Sequence, residues 1–87
     1  MAKERTINFN YGFLKDKITQ VCGTQAIFAQ RLGISKQSLS GKLNNKNMFS
    51  HEEIYKASTI LGLSELEITR CFFIPRELKK FTPEEKE

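Results

Sequence analysis

Residues 25–40 of the chain read QAIFAQRLGISKQSLS, and this stretch decides the fold. Phe28 and Leu32 lie one helical turn apart, Gly33 interrupts the pattern, and a second helical pattern follows it. Glycine tolerates the left-handed backbone of a tight turn, and the small Ala29 allows a second helix to cross the first. The apolar positions that would clamp the pair are Phe28, Leu32, Ile34 and Leu39. The stretch therefore predicts two short helices joined by a glycine turn.

Further helices flank this pair on both sides. Apolar residues recur at helical spacing over Tyr11–Cys22, and Gly23 is a natural helix stop. Ser50-His51-Glu52-Glu53 and Ser64-Glu65-Leu66-Glu67 both have the form S-x-x-E, which is a capping box that opens a helix. Pro75 prevents continuation of the last helix. The sequence thus predicts an all-α chain of five helices joined by short loops, without a convincing strand.

The predicted domain spans residues 11–74. Residues 1–10 are polar and could be a loose N-terminal arm, a short strand or the lead-in to a helix. Residues 75–87 form a charged C-terminal tail, which we expect to be frayed.

Composition argues against several classes of protein. A chain of 87 residues builds a modest core and leaves little room for a deep cleft. His51 stands alone, and Cys22 and Cys71 are far apart without further ligands at metal-binding spacing. No catalytic triad spacing or phosphate-cradling glycine loop is present. We therefore expect no enzyme, no cofactor and no metal, and two reduced, partly buried thiols, with a disulfide as the minor alternative.

The apolar runs are only a few residues long, and none follows the basic residues at the N-terminus. We therefore expect neither a signal peptide nor a membrane span, and a cytoplasmic location.

Charge is distributed unevenly along the chain. Residues 1–49 carry a net charge of +6 and residues 50–87 a net charge of −2. A basic half favours a polyanionic partner such as nucleic acid, although many small domains are basic without such a partner.

Residues 25–40 resemble the helix-turn-helix of the lambda-type phage repressors and Cro proteins, through the pattern Gln-Ala…Ala…Leu-Gly-Ile-Ser. The wider run Gly23–Leu66, with Gly-Thr-Gln-Ala early and Leu-Gly-Leu-Ser late, is similar to short Cro-like phage proteins. The likeness covers roughly residues 11–74. It implies a compact five-helix, lambda-repressor-like DNA-binding domain, whose second and third helices form the helix-turn-helix. One departure is Lys42, where many relatives have an apolar residue; here the apolar residue is Leu43, so the recognition helix would leave the core at a slightly different angle.

The resemblance also implies a function, exercised in the cytoplasm of a bacterial cell or a phage-infected host. It indicates a sequence-specific transcriptional regulator of the Cro or repressor type, which inserts its recognition helix, residues 35–43, into the major groove of a double-stranded DNA operator. The residues that would read base edges are Lys36, Gln37, Ser40 and Gly41. The residues that would contact phosphates are Thr24, Gln25, Ser35, Ser38, Lys42, Asn44 and Lys46. Taken alone, lysines and glutamines here could equally be solvated residues of an exposed helix.

Two further points stay open at the level of sequence. Such regulators usually bind as two-fold dimers, so we expect a homodimer, with the last helix and Phe72–Ile74 as the candidate contact. The alternative is that Phe72 and Ile74 close the core of the monomer. The alternative function is a protein-interaction module on the same fold, with an antitoxin-like or anti-repressor role, in which exposed residues after Leu63 would matter more than Lys36 and Gln37.

Overall fold

The computed structural model describes residues 8–76 of the chain. The structure has five α-helices within these residues, in agreement with the predicted fold class. They are α1 (Gly12–Cys22), α2 (Gln25–Leu32), α3 (Lys36–Leu43), α4 (His51–Leu61) and α5 (Glu65–Phe72). Residues 8–76 contain no strand, and β pairing is confined to one isolated antiparallel bridge between Phe9 and Pro75.

Local side-chain chemistry fixes where four of the helices begin. The hydroxyls of Thr24 and Ser35 accept hydrogen bonds from backbone amides in the first turns of α2 and α3. Ser50 and Ser64 open α4 and α5 with complete capping boxes, in which the glutamate three residues later accepts the serine backbone N–H. Both capping boxes predicted from the sequence are therefore formed.

The core lies where the helices meet. Helix α1 packs against α2, α4 and α5, and α2 also packs against α3 and α4. The largest fully buried side chains come from four of the helices: Leu14, Ile18, Phe28, Leu39 and Cys71. Cys22 and Cys71 are both buried free thiols. None of the helices within residues 8–76 is long and apolar enough to cross a membrane.

Aromatic rings close one end of the core. Tyr11 and Phe72 both meet Phe49 edge to face, with ring centroids 5.5 Å and 5.2 Å away. Burial also raises the pKa of Tyr11 above its usual value. Phe72 is only 3% exposed. Phe72 therefore belongs to the core of the monomer, which was the second of the two roles that the sequence left open.

The two ends of the described chain lie together. The backbone N–H of Asn10 donates to the carbonyl of Ile74 at 2.7 Å, and that of Arg76 donates to the carbonyl of Asn8 at 2.9 Å. Residues 8–10 and 74–76 are thus held against each other beside α5. The remainder of the predicted arm and of the predicted tail lies outside the described residues, and the domain boundaries stay predictions.

Candidate functional site

The α2–α3 pair has the local structure that its sequence predicts. Gly33 ends α2 with φ of +88°, and its N–H donates to the carbonyls of Ala29 and Gln30. The N–H of Ile34 also donates to the carbonyl of Ala29, at 3.0 Å, which tightens the turn. Ala29 is buried, so α3 can approach α2 closely. Two short helices joined by a glycine turn therefore present the start of α3 on the surface.

The four predicted base-reading residues lie on α3 but differ in exposure. Lys36 and Gln37 are exposed in the first turn, whereas Ser40 and Gly41 are half-buried. A β-carbon at Gly41 would lie 3.2 Å from the side-chain nitrogen of Asn47, so a larger residue there would press on the following loop. The exposed polar surface of α3 is therefore concentrated at its N-terminal turn.

Lys42 has partners within the protein. Its ammonium lies 3.3 Å from Oε1 of Glu53, donates to the carbonyl of Met48 at 3.1 Å, and lies 6.0 Å from the ring centroid of Phe49. The Lys42 side chain is 12% exposed and that of Glu53 is 21% exposed. Lys42 thus ties the last turn of α3 to the first turn of α4. A phosphate contact at Lys42, as the resemblance implies, would have to compete with these partners.

The carboxylate of Glu53 is held in its charged form. Burial alone would raise its pKa, but the backbone N–H of Ser50 and the side chain of Lys42 outweigh this effect and lower the pKa below its usual value. The same oxygen of Glu53 accepts the Ser50 N–H at 2.9 Å. One carboxylate therefore joins a helix cap to the end of α3.

The other predicted phosphate contacts fall into two groups. Thr24, Ser35 and Asn44 make hydrogen bonds within the chain, the first two as helix caps and Asn44 through its amide nitrogen to the Ser40 carbonyl at 2.9 Å. A capping hydroxyl still has a proton to donate, so these positions keep part of their binding capacity. Gln25 and Ser38 are half-buried, and Lys46 is exposed.

A second surface feature lies between α4 and α5. It is a shallow groove of about 550 Å³, to which Ile54, Leu63 and Ile68 contribute apolar atoms. Tyr55 also lines it and is 73% exposed. We call this feature the α4–α5 groove.

Residues 7–74 match the model of the family described as protein of unknown function, DUF739. The chain belongs to the DUF739 family. No curated protein matches the chain.

The DUF739 chain is also similar to a solved structure. This is the solution structure of the modulator of repression of the temperate bacteriophage TP901-1 from Lactococcus lactis. The two are 42% identical in sequence, with a TM-score of 0.66, and the match covers 75% of this chain and 88% of that chain.

One residue that supports the candidate site was not singled out from the sequence. Asn45 has a φ of +64° in the loop after α3, and its side-chain amide makes two hydrogen bonds to Phe9. Its Oδ1 accepts the Phe9 N–H at 2.8 Å, and its Nδ2 donates to the Phe9 carbonyl at 3.0 Å. The only signal in the sequence was an asparagine in a loop rich in turn-forming residues, since asparagine tolerates positive φ better than most residues. Its partner lies 36 residues away, beyond the reach of local patterns.

The predicted dimer contact is altered by the position of Phe72. Because Phe72 lies in the core, Phe73 is the phenylalanine of Phe72–Ile74 that remains exposed, and it packs edge to face on Phe9. The carbonyl of Ile74 accepts the backbone N–H of Asn10. The segment therefore offers a smaller apolar surface to a second copy than its sequence suggests, and the homodimer stays a prediction.

Proposed function

We propose that this chain is a phage modulator of repression, which acts by binding the repressor whose activity it changes. The observation that carries the proposal is the similarity to the modulator of repression of bacteriophage TP901-1, at 42% identity over most of both chains. Membership of the DUF739 family is compatible with this role and assigns no activity of its own. The proposal gives the chain no catalytic activity, cofactor or metal, and places it in the cytoplasm of a bacterium that carries the phage.

The contacts around α3 support a protein partner over an operator as the main target. Two of the seven predicted phosphate contacts are cations, Lys42 and Lys46, and Lys42 is ion-paired with Glu53. Affinity for DNA depends mainly on cations that replace the counterions of the phosphates. Lys46 is then the exposed lysine that remains among the predicted phosphate contacts. An interaction with a regulatory protein makes no such demand.

The proposal is tested with purified proteins. The chain is mixed with the repressor encoded by the same phage genome, and complex formation is followed by sedimentation velocity. Occupancy of the operator by the repressor is then measured by gel shift with and without the chain. We expect a stable complex and a changed operator occupancy. If the chain leaves the repressor unchanged in both assays, the proposed function is wrong.

A second candidate function is direct reading of DNA by α3. The observation in its favour is that Lys36 and Gln37 are exposed together in the first turn of α3, where a helix-turn-helix presents residues to base edges. Selection of binding sites from random duplexes tests it. If a consensus emerges, Gln37→Ala should weaken binding to the selected site by about 1–3 kcal/mol and relax the preference at one base pair. A variant that loses the same affinity for scrambled DNA would show that Gln37 reads no base.

A further inference from the structure

We infer that the α4–α5 groove is the surface on which the repressor docks, through an amphipathic helix of its basic DNA-binding domain. This inference rests on the proposed function, because it names the site and the chemistry of the partner. The groove offers apolar atoms of Ile54 on α4, of Leu63 in the turn that follows, and of Ile68 on α5. All three side chains are only half-buried within the monomer. A partner that covers them would remove further apolar surface from water.

Tyr55 is the anchor that the partner would cover. It is a large aromatic side chain that lines the groove and is 73% exposed. Tyrosine is enriched at the centres of protein interfaces, because it buries a large rigid surface at a small entropic cost. An exposed tyrosine beside an apolar groove therefore has the features of an interface hot spot.

The hydroxyls of Ser58 and Thr59 do not oppose burial. Ser58 donates to the carbonyl of Ile54 at 2.7 Å, and Thr59 donates to the carbonyl of Tyr55 at 3.2 Å. Their donors are thus satisfied within α4 and would not be stranded when water is excluded. A covering helix therefore needs no partner for these two donors, whereas the Tyr55 hydroxyl and His51, which also line the groove, would have to be paired or left at its solvent-exposed rim.

The charge beside the groove favours a basic partner. Glu52 and Glu65 are exposed and lie three residues before Tyr55 and Ile68, which places them beside the groove by helical spacing. Glu52 is 4.0 Å from Lys56, and because both side chains are well exposed this pair is weak. Glu65 adds a second negative charge at the start of α5. Lysine or arginine residues flanking an apolar helix would find complementary charge here.

The face of α3 has the opposite character. The segment Lys36–Asn47 has no acidic residue and exposes Lys36 and Lys46, while its third lysine, Lys42, is paired with Glu53. The DNA-binding domain of a repressor is itself basic, so docking on α3 would place like charges together. Of the two surfaces, the α4–α5 groove is the one that attracts such a domain.

The test uses the full chain and the repressor from the same phage genome. Affinity is measured by isothermal titration calorimetry for the wild type and for Tyr55→Ala, Glu52→Lys and Leu66→Ala. Leu66 is the matched control, because it is also a large exposed side chain, at 75%, but lies two residues from Ile68 and so on another side of α5. We expect Tyr55→Ala to weaken the complex by about 10-fold or more, as hot-spot truncations do. Glu52→Lys should weaken it mainly at low salt, and Leu66→Ala should change it by less than about 2-fold. Circular dichroism confirms that each variant is folded.

The outcomes separate the docking site from the proposed function. The repressor could bind the wild type and Tyr55→Ala equally well but fail to bind Lys36→Ala. In that case the groove is not the docking site, and the proposed function stands. If the repressor does not bind the wild type at all, the proposed function fails and the inference fails with it. Sedimentation of the chain alone tests whether a second copy occupies the groove instead. If the wild type is a dimer and Tyr55→Ala is a monomer, the groove belongs to a second copy and the inference is overturned.

Discussion

The partners of Lys42 lead to a prediction that separates a structural role from a DNA contact. Replacement by methionine keeps most of the aliphatic stem that packs near Phe49 but removes the charge. The variant then lacks the ion pair with Glu53 and the hydrogen bond to the Met48 carbonyl. We expect Lys42→Met to destabilise the fold and to leave any DNA binding largely unchanged.

The geometry sets the size of the effect. An exposed ion pair contributes roughly 0.2–1 kcal/mol, but this pair is 3.3 Å apart and its side chains are only 12% and 21% exposed. Hydrogen bonds from charged groups contribute about 1.5–3 kcal/mol when well formed. We therefore expect Lys42→Met to lower the free energy of unfolding by about 1–2 kcal/mol, with about 1 kcal/mol of coupling to Glu53.

Urea unfolding at neutral pH measures this with a double-mutant cycle. The four proteins are the wild type, Lys42→Met, Glu53→Gln and the double variant. Glutamine at position 53 keeps an oxygen that can accept the Ser50 N–H, so the helix cap is preserved as far as possible. Additivity of the two single changes within about 0.3 kcal/mol would refute the coupling.

Acidification gives an independent check of the same pair. The pKa of Glu53 is lower in the folded state than its usual value. The stability that this provides is therefore fully present above the unfolded pKa of about 4.3 and is lost as pH falls through the folded pKa. The coupling measured at neutral pH should disappear in strong acid.

For any duplex that the chain binds, Lys42→Met should leave the salt dependence of binding unchanged. A slope reduced by about one ion would show instead that Lys42 contacts a phosphate.

Two further predictions concern Asn45 and Cys71. Asn45→Gly keeps the positive φ but removes both hydrogen bonds to Phe9. It should therefore destabilise the fold by about 1–3 kcal/mol and speed hydrogen exchange of the Phe9 amide. Asn47→Gly is the control in the same loop, and an exchange rate at Phe9 that Asn45→Gly leaves unchanged would contradict the role of Asn45. Burial raises the pKa of the Cys71 thiol to about 11, so Cys71 should react with a disulfide reagent at pH 8 far more slowly in the folded protein than in urea, and equal rates would contradict its burial.

Local signals made the fold predictable. Ser50 and Ser64 predict the starts of α4 and α5, because a capping box needs only four consecutive residues. Gly33 marks the turn before α3 for a similar reason, since its left-handed backbone is a property of one residue. Each of these features depends on chain neighbours, and the sequence displays neighbours directly.

The candidate site was less predictable because its contacts cross between elements. Lys42 meets Glu53 across the loop after α3, and Asn45 meets Phe9 from the other end of the chain. Nothing in the spacing of these residues indicates that they touch. The sequence shows Lys42 where many relatives have an apolar residue, but it does not show that Lys42 pairs with Glu53.

Lys42 and Asn45 also bear on how the two candidate functions relate to each other. Both residues fix the C-terminal end of α3, Lys42 to α4 and Asn45 to the segment before α1, while the exposed Lys36 and Gln37 are at the other end. The α4–α5 groove uses neither Lys36 nor Gln37. A repressor held in the groove would therefore leave the first turn of α3 open to solvent. If that turn binds DNA even weakly, a chain bound to the repressor would add contacts at high effective concentration, because the repressor already sits on the operator. The sign of the change in operator occupancy then separates two modes of modulation. If the groove covers the surface with which the repressor reads DNA, the repressor must release the operator. If the repressor docks through another surface, the chain instead holds it more tightly on the operator. Only this tighter binding should be lost in Lys36→Ala.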